Sequence, residues 1–331
     1  MSREVKLELG VNGAFITRRW EQPDNWMRLT KEIGYDAHEF CADVIDPFFS
    51  GNREYQLRTA GQVKAAAEKY GVHITDVYTG VATHRFHGLS HYDASCRERM
   101  KQWIYQIMDI ALAMGTDRVG GHWDAISVEV MGDESSYQAA IDRLCDTFVE
   151  LANVGAEKGI GAIYLEQMYI PSEVPWTMQQ AEYILIGINK QKPAIPVYLT
   201  VDVGHMAGMC YGLQGEDLDY LEWTGRLAPF AEIIHVQQTT PESSHHWAFT
   251  EEYNARGHIE IEPLLEAVQT GHENAQNSPI SEYLEPVDHS FLIAEIIPGS
   301  TKNEDTLLSE LKISSEYLKQ WLPDGKLTLA V

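Results

Sequence analysis

The sequence predicts a single (β/α)8 barrel domain over residues 1–331, and three observations carry that expectation. Eight short β-branched or apolar runs recur along the chain, a long amphipathic stretch follows each, and no linker, Pro/Ser-rich joint or low-complexity block divides them. Strict βα alternation of this kind closes into a parallel barrel more naturally than it spreads into an open sheet.

The strand candidates in order are 5–11 (VKLELGV), 35–40 (YDAHEF), 72–79 (VHITDVYT), 116–122 (TDRVGGH), 161–166 (GAIYLE), 196–202 (PVYLTVD), 232–238 (EIIHVQQ) and 290–298 (SFLIAEIIP). Helical patterns lie at 23–34, 54–71, 91–115, 135–159, 177–190, 217–230, 261–271 and 303–322. Four of them end on Gly34, Gly71, Gly115 and Gly159, where a left-handed cap is expected. The segments 83–91, 203–216 and 239–258 are longer and carry His, Trp, Gly and Arg. Long loops on a rigid scaffold are where function usually sits. Residues 272–289 read as an acidic excursion on the opposite face, with no chemistry assigned to them.

Composition narrows the partners. Lys and Arg number 25 against 49 Asp and Glu, a net charge of −24, and no basic cluster offsets it. Such a field repels a phosphate backbone and an anionic membrane surface, so neither nucleic acid nor membrane is an expected partner. Cys41, Cys96, Cys145 and Cys210 form no Cys-x-x-Cys pair, and no apolar run approaches the roughly 18 residues of a membrane span. A reduced, cytoplasmic setting is the expectation.

In a barrel of this type the active site is built at the C-terminal ends of the strands. Glu166 ends strand five, Asp202 ends strand six, strand seven carries His235 and strand eight carries Glu295. Any one of these alone reads as a helix cap, a salt-bridge partner or a core histidine. Together, three carboxylates converging on one rim would repel strongly unless a divalent cation neutralised them. Three oxygens and one nitrogen suit Mn2+, Co2+ or Mg2+, with Zn2+ also admissible. His205, three residues after Asp202, reads either as a donor to a substrate oxygen or as a loop histidine capping the next helix.

The segments YLEQM, TVDVGHMAG, IIHVQQT and LIAEI around those four residues resemble the metal-binding strand ends of the xylose-isomerase-like TIM-barrel superfamily of sugar isomerases and epimerases. Residues 87–122 are similar to its passage from strand three to strand four. The resemblance implies a divalent-metal-dependent 3-epimerase of a ketose or ketose phosphate, with Glu166 and Glu295 as the acid/base pair and all four residues as ligands. Inverting a carbon next to a ketone removes a proton from one face and returns it on the other through an enediolate, which two carboxylates can serve. The HVQQT run and the loop after it are similar to members that interconvert tetrulose phosphates. Family members often dimerise or tetramerise, so a homo-oligomer is implied.

Further candidates follow from the loops. Gln237, the tandem His245 and His246, Trp247, Asn254 and Arg256 form an amphipathic lid. Arg256 with His246 would clamp a substrate phosphate, or Arg256 is simply solvated. Glu39, Asn12, His84 and His122 are placed to hydrogen-bond sugar hydroxyls, or to fill a barrel layer. Trp123 suits a sugar face but also plain packing. Three rival readings remain: an inosose-type dehydratase using the same tetrad, a metal-dependent endonuclease recruiting spare histidines, and a non-catalytic sugar-binding barrel.

Overall fold

A computed structural model describes residues 3–80 and 88–331. Eight parallel strands form the barrel: β1 (Glu4–Asn12), β2 (Ala37–Cys41), β3 (His73–Tyr78), β4 (Arg118–Gly121), β5 (Ala162–Glu166), β6 (Val197–Asp202), β7 (Ile233–Val236) and β10 (His289–Ala294). Neighbours pair in chain order, and β10 returns to β1 in parallel from Lys6↔His289 to Val11↔Ala294, which closes the sheet. Between β7 and β10 the chain inserts a hairpin of β8 (Gln238–Thr240) and β9 (Ser243–Trp247). The final strand, β11 (Lys326–Ala330), pairs antiparallel with the first half of β1.

The helices are α1 (Pro23–Glu32), α2 (Arg53–Tyr70), α3 (Ala94–Met114), α4 (Val128–Met131), α5 (Glu134–Lys158), α6 (Met178–Asn189), α7 (Tyr220–Leu227), α8 (Glu251–Asn254), α9 (Ile261–Asn274) and α10 (Glu304–Leu318). Asn52, Asp93 and Asp133 cap α2, α3 and α5 through their side chains, and Gly71, Gly115 and Gly159 end them at positive φ. Two expectations change. The run 232–238 is two strands, because the chain leaves the barrel at Gln237, and β11 was not anticipated although KLTLA alternates with period two. Residues 272–289 complete α9, make two short 3-10 turns and enter β10, held where Val287 N–H donates to the Pro229 carbonyl ahead of β7.

Alternation along the strands decides what enters the barrel. Leu165, Ile234 and Leu292 belong to the main core between sheet and helices. Their neighbours Ala162, Tyr164, Ile233 and Ile293 pack into a separate interior cluster. Two residues further along the same inward rows stand Glu166, His235 and Glu295. Among the described residues, no helix is long and apolar enough to cross a membrane, and no disulfide joins the cysteines.

Candidate active site

The period-two rows of β5, β6, β7 and β10 deliver Glu166, Asp202, His235 and Glu295 to one rim, where one ligand atom from each lies within 4.8 Å of all the others. His235 Nδ1 stands 3.4 Å from Glu166 Oε1, 3.4 Å from Glu295 Oε2 and 3.7 Å from Asp202 Oδ2. All four side chains are buried. Among the described residues this is the one cluster of three or more His, Cys, Asp or Glu side chains closing in this way.

His235 Nδ1 is buried and makes no hydrogen bond, whereas Nε2 lies 2.9 Å from Glu39 Oε1. The ring nitrogen left without a partner therefore faces three carboxylates. That donor set fits a divalent cation, which needs the imidazole lone pair and makes the burial of the acids tolerable. Burial alone would lower the affinity of the His235 imidazole for a proton, but the Glu295 and Glu39 carboxylates outweigh it and hold the ring well above the usual histidine range. Burial likewise opposes the Glu295 charge, and His235 with His246 overcomes it and keeps that carboxyl well below the usual range. In both cases a neighbouring opposite charge outweighs burial.

Asp202 is fixed from several sides. Its Oδ1 accepts from Gly204 N–H at 2.6 Å, and Gln237 Nε2 lies 3.0 and 3.1 Å from its two oxygens. Gly204 permits this approach, since a Cβ there would come within 2.3 Å of the Gln237 carboxamide carbon. His205 Nδ1 donates to the Gln167 carbonyl at 2.7 Å. The His205 Nε2 lies 3.5 Å from Asp202 Oδ2.

A cavity of about 170 Å3 opens beside the tetrad, lined among others by Glu166, Glu295, His205, His246, Ser244 and Asn12. The hairpin supplies two of these. His246 adopts a left-handed backbone, φ 50°, that non-glycine residues rarely take, and its Nδ1 lies 3.1 Å from Glu295 Oε2 and 2.9 Å from Gln237 Nε2. Burial would lower the His246 imidazole, but Glu295 overrides it and raises it. His245 and Trp247 stack together, centroids 4.0 Å apart, with the Arg256 guanidinium 4.5 Å from the Trp247 ring centroid. A larger cleft of about 830 Å3 between the first two βα loops contains none of the tetrad, so chemistry favours the smaller one.

The expected site residues therefore separate into groups. Glu166, Asp202, His235, Glu295, His205 and His246 come together, with Asn12 at the cavity edge. Gln237 sits behind Asp202 and His246. Glu39, expected at the substrate, is fully buried behind His235 and is absent from the cavity lining. Arg256 is half-exposed, pairs with Glu252 and lies outside the lining, so the structure does not bring it to a substrate phosphate. His122 follows β4, fully buried and outside the lining. Asn254 accepts from Gln238, and Trp123 is buried against Phe148. His84 lies outside the described residues. Ser244, Tyr169 and Tyr78 also line the cavity. Ser244 was legible in principle, being two residues from His246 on the same strand.

Comparison with known proteins agrees with the barrel fold. The sequence profile described as the xylose isomerase-like TIM barrel matches residues 27–274. The D-erythrulose 1-phosphate 3-epimerase of Brucella abortus (strain 2308) is 24% identical over 317 residues, covering 93% of this chain and 100% of that enzyme. A xylose isomerase-like protein of Rhodospirillum rubrum ATCC 11170 superposes with a TM-score of 0.81 at 22% identity, over 95% of this chain and 99% of that one. The D-psicose 3-epimerase of Clostridium cellulolyticum H10, crystallised with D-tagatose, gives 0.63 at 16% identity, over 95% and 98%.

Proposed function

We propose that this chain, which belongs to the xylose isomerase-like TIM barrel family, is a divalent-metal-dependent epimerase that inverts the carbon next to the carbonyl of a ketose or ketose phosphate. The observation that carries the reading is the pair Glu166 and Glu295, each 3.4 Å from His235 Nδ1 and both exposed to one small cavity. A tetrulose phosphate is the first substrate to test. The cavity is small, and the Brucella abortus relative bears the name of an enzyme for such a sugar.

Glu166, Asp202, Glu295 and His235 Nδ1 would hold the metal, for which the oxygen-rich set favours Mn2+, Co2+ or Mg2+ over Zn2+. When bound, the cation supplies Lewis-acid stabilisation of negative charge on substrate oxygens. In the chain's own chemistry, one of the two glutamates accepts the proton on the carbon adjacent to the carbonyl, leaving its electron pair in an enediolate. The other returns a proton to the opposite face, so no atom is gained or lost. His205 orients the sugar through a hydrogen bond to one of its oxygens, while Ser244 and His246 bound it from the hairpin side.

The test is proton exchange in D2O with Mn2+, over tetrulose phosphates and longer ketoses with and without phosphate. Deuterium at C3 without loss of water supports epimerisation. Loss of water points instead to the dehydratase, and no exchange with any ketose refutes the reading. Glu166→Gln and Glu295→Gln should each lower exchange by about 10²–10⁴-fold, the usual worth of a positioned acid or base.

A further inference from the structure

The metal-facing tetrad is backed by a second polar chain that crosses the barrel interior from β1 through β2 to β7. The Ala14 N–H donates to Asn12 Oδ1 at 2.8 Å. That contact settles which way the Asn12 carboxamide points, and its Nδ2 then donates to Glu39 Oε2. Glu39 Oε1 in turn faces His235 Nε2 at 2.9 Å, with neither side chain exposed at all. The Tyr78 ring meets His235 edge-on, 4.9 Å between centroids, and limits rotation of the imidazole.

We infer that Glu39 is a positioning residue for the proposed metal site, and that Asn12 holds it in place. A carboxylate only accepts, so the proton of a neutral His235 sits on Nε2. The Nδ1 lone pair is thereby aimed between Glu166 and Glu295, instead of an N–H that would compete with a cation. Carboxylate backing of this kind also makes the imidazole a stronger ligand. Glu39 has no surface in the cavity, so it acts on the sugar only through His235. The inference rests on the proposed metal site and is independent of the substrate.

The polarity of the chain gives a test with a built-in rescue. In Glu39→Gln the new amide meets a donor on both sides, His235 Nε2–H and the pinned Asn12 Nδ2–H, and must offer its own N–H to one of them. Adding Asn12→Asp turns that partner into an acceptor that still receives the Ala14 N–H, so the amide oxygen can return to His235. Mn2+ binding to metal-free protein is read by electron paramagnetic resonance, with thermal unfolding followed in parallel.

Glu39→Gln should raise the Mn2+ Kd about 10–100-fold, the usual cost of losing such backing, and N12D/E39Q should recover most of it. At saturating Mn2+ the KM for the sugar should stay near wild type. An unchanged Kd in Glu39→Gln overturns the inference, as does a raised KM at an unchanged Kd, which would mean direct substrate contact. If Glu39→Gln does not fold, restored folding and near-wild-type Mn2+ binding in N12D/E39Q support the inference, and failure of both variants overturns it. Wild-type protein that binds no Mn2+ defeats the metal reading itself, which is a distinguishable result.

Discussion

Replacing Gln237 by Met tests whether one buried carboxamide ties the Asp202 carboxylate to the hairpin. Its Nε2 donates to both Asp202 oxygens at 3.0 and 3.1 Å, and its Oε1 accepts from the His246 N–H at 2.6 Å and the Ser244 hydroxyl at 3.2 Å. Methionine keeps the length and volume, so repacking costs less than about 1.5 kcal/mol. Losing the donor to a buried carboxylate costs about 1.5–3 kcal/mol, and leaving the His246 N–H without its acceptor costs about 1–3 kcal/mol. The two losses together come to about 2.5–6 kcal/mol. For 331 residues the unfolding entropy is about 0.7 kcal/mol per kelvin, so Tm should fall by about 4–9 °C. Calorimetry on metal-free protein reads this directly. A fall under about 1 °C, in a variant with native circular dichroism, refutes the assigned role. Gly204→Ala approaches the same contact from the other side, where its Cβ would meet the Gln237 side chain, and should cost about 1–3 kcal/mol.

Other outcomes follow from the same geometry. At Mn2+ 100-fold above its Kd, metal-free protein should gain about 2.7 kcal/mol, a rise of about 4 °C in Tm, and Asp202→Asn should abolish the rise. Asp124 is pushed up from 3.8 to about 7, chiefly by burial and despite the hydrogen bonds it accepts from Ser90. Its proton is held in the folded state after the unfolded chain has lost it. Stability should therefore fall as pH rises from 3.8 to about 7, by at most about 4 kcal/mol from this group. Asp124→Asn should remove that slope in denaturation curves, and an unchanged slope would reject the assignment. Arg256→Ala should leave the KM for a sugar phosphate within about twofold and lower Tm by only about 1 °C, the worth of an exposed cation–π contact. A tenfold rise in KM would restore the phosphate clamp.

What the sequence discloses depends on whether a residue's role is local. The strand ends at Glu166, Asp202, His235 and Glu295 are legible because alternation fixes their direction and βα spacing fixes their level. Glu39 carries the same local signature, a carboxylate near a strand end. Its different role arises only from a contact with His235, 196 positions away in the chain, made across the interior. Arg256 looks like a lid cation in sequence. Thr250 caps the short helix α8, after which the guanidinium reaches Trp247, a geometry no spacing rule contains. The extra strand β11 had a readable pattern and was missed. The break at Gln237 had none, since VQQT continues the β-like run of the strand before it.

The two halves of the barrel divide the electrostatic task. On β5, β6, β7 and β10, three carboxylates and one imidazole face a common centre. On β2 and β3, two further carboxyls, Glu39 and Asp76, are fully buried beneath it. Burial, with Glu39 adding to it, raises the Asp76 carboxyl well above its usual range, so the interior disfavours a charge there. Glu39 is also raised by burial, with the His235 imidazole opposing that rise. The negative charge facing the common centre is that of the three tetrad carboxylates. A divalent cation at that point removes most of it at once, whereas an apolar replacement of one ligand would leave the remaining two repelling each other. Metal binding should therefore appear in the stability of the fold as well as in its chemistry, and Asp202→Asn, which deletes one charge and keeps the shape, should remove the response of that stability to Mn2+.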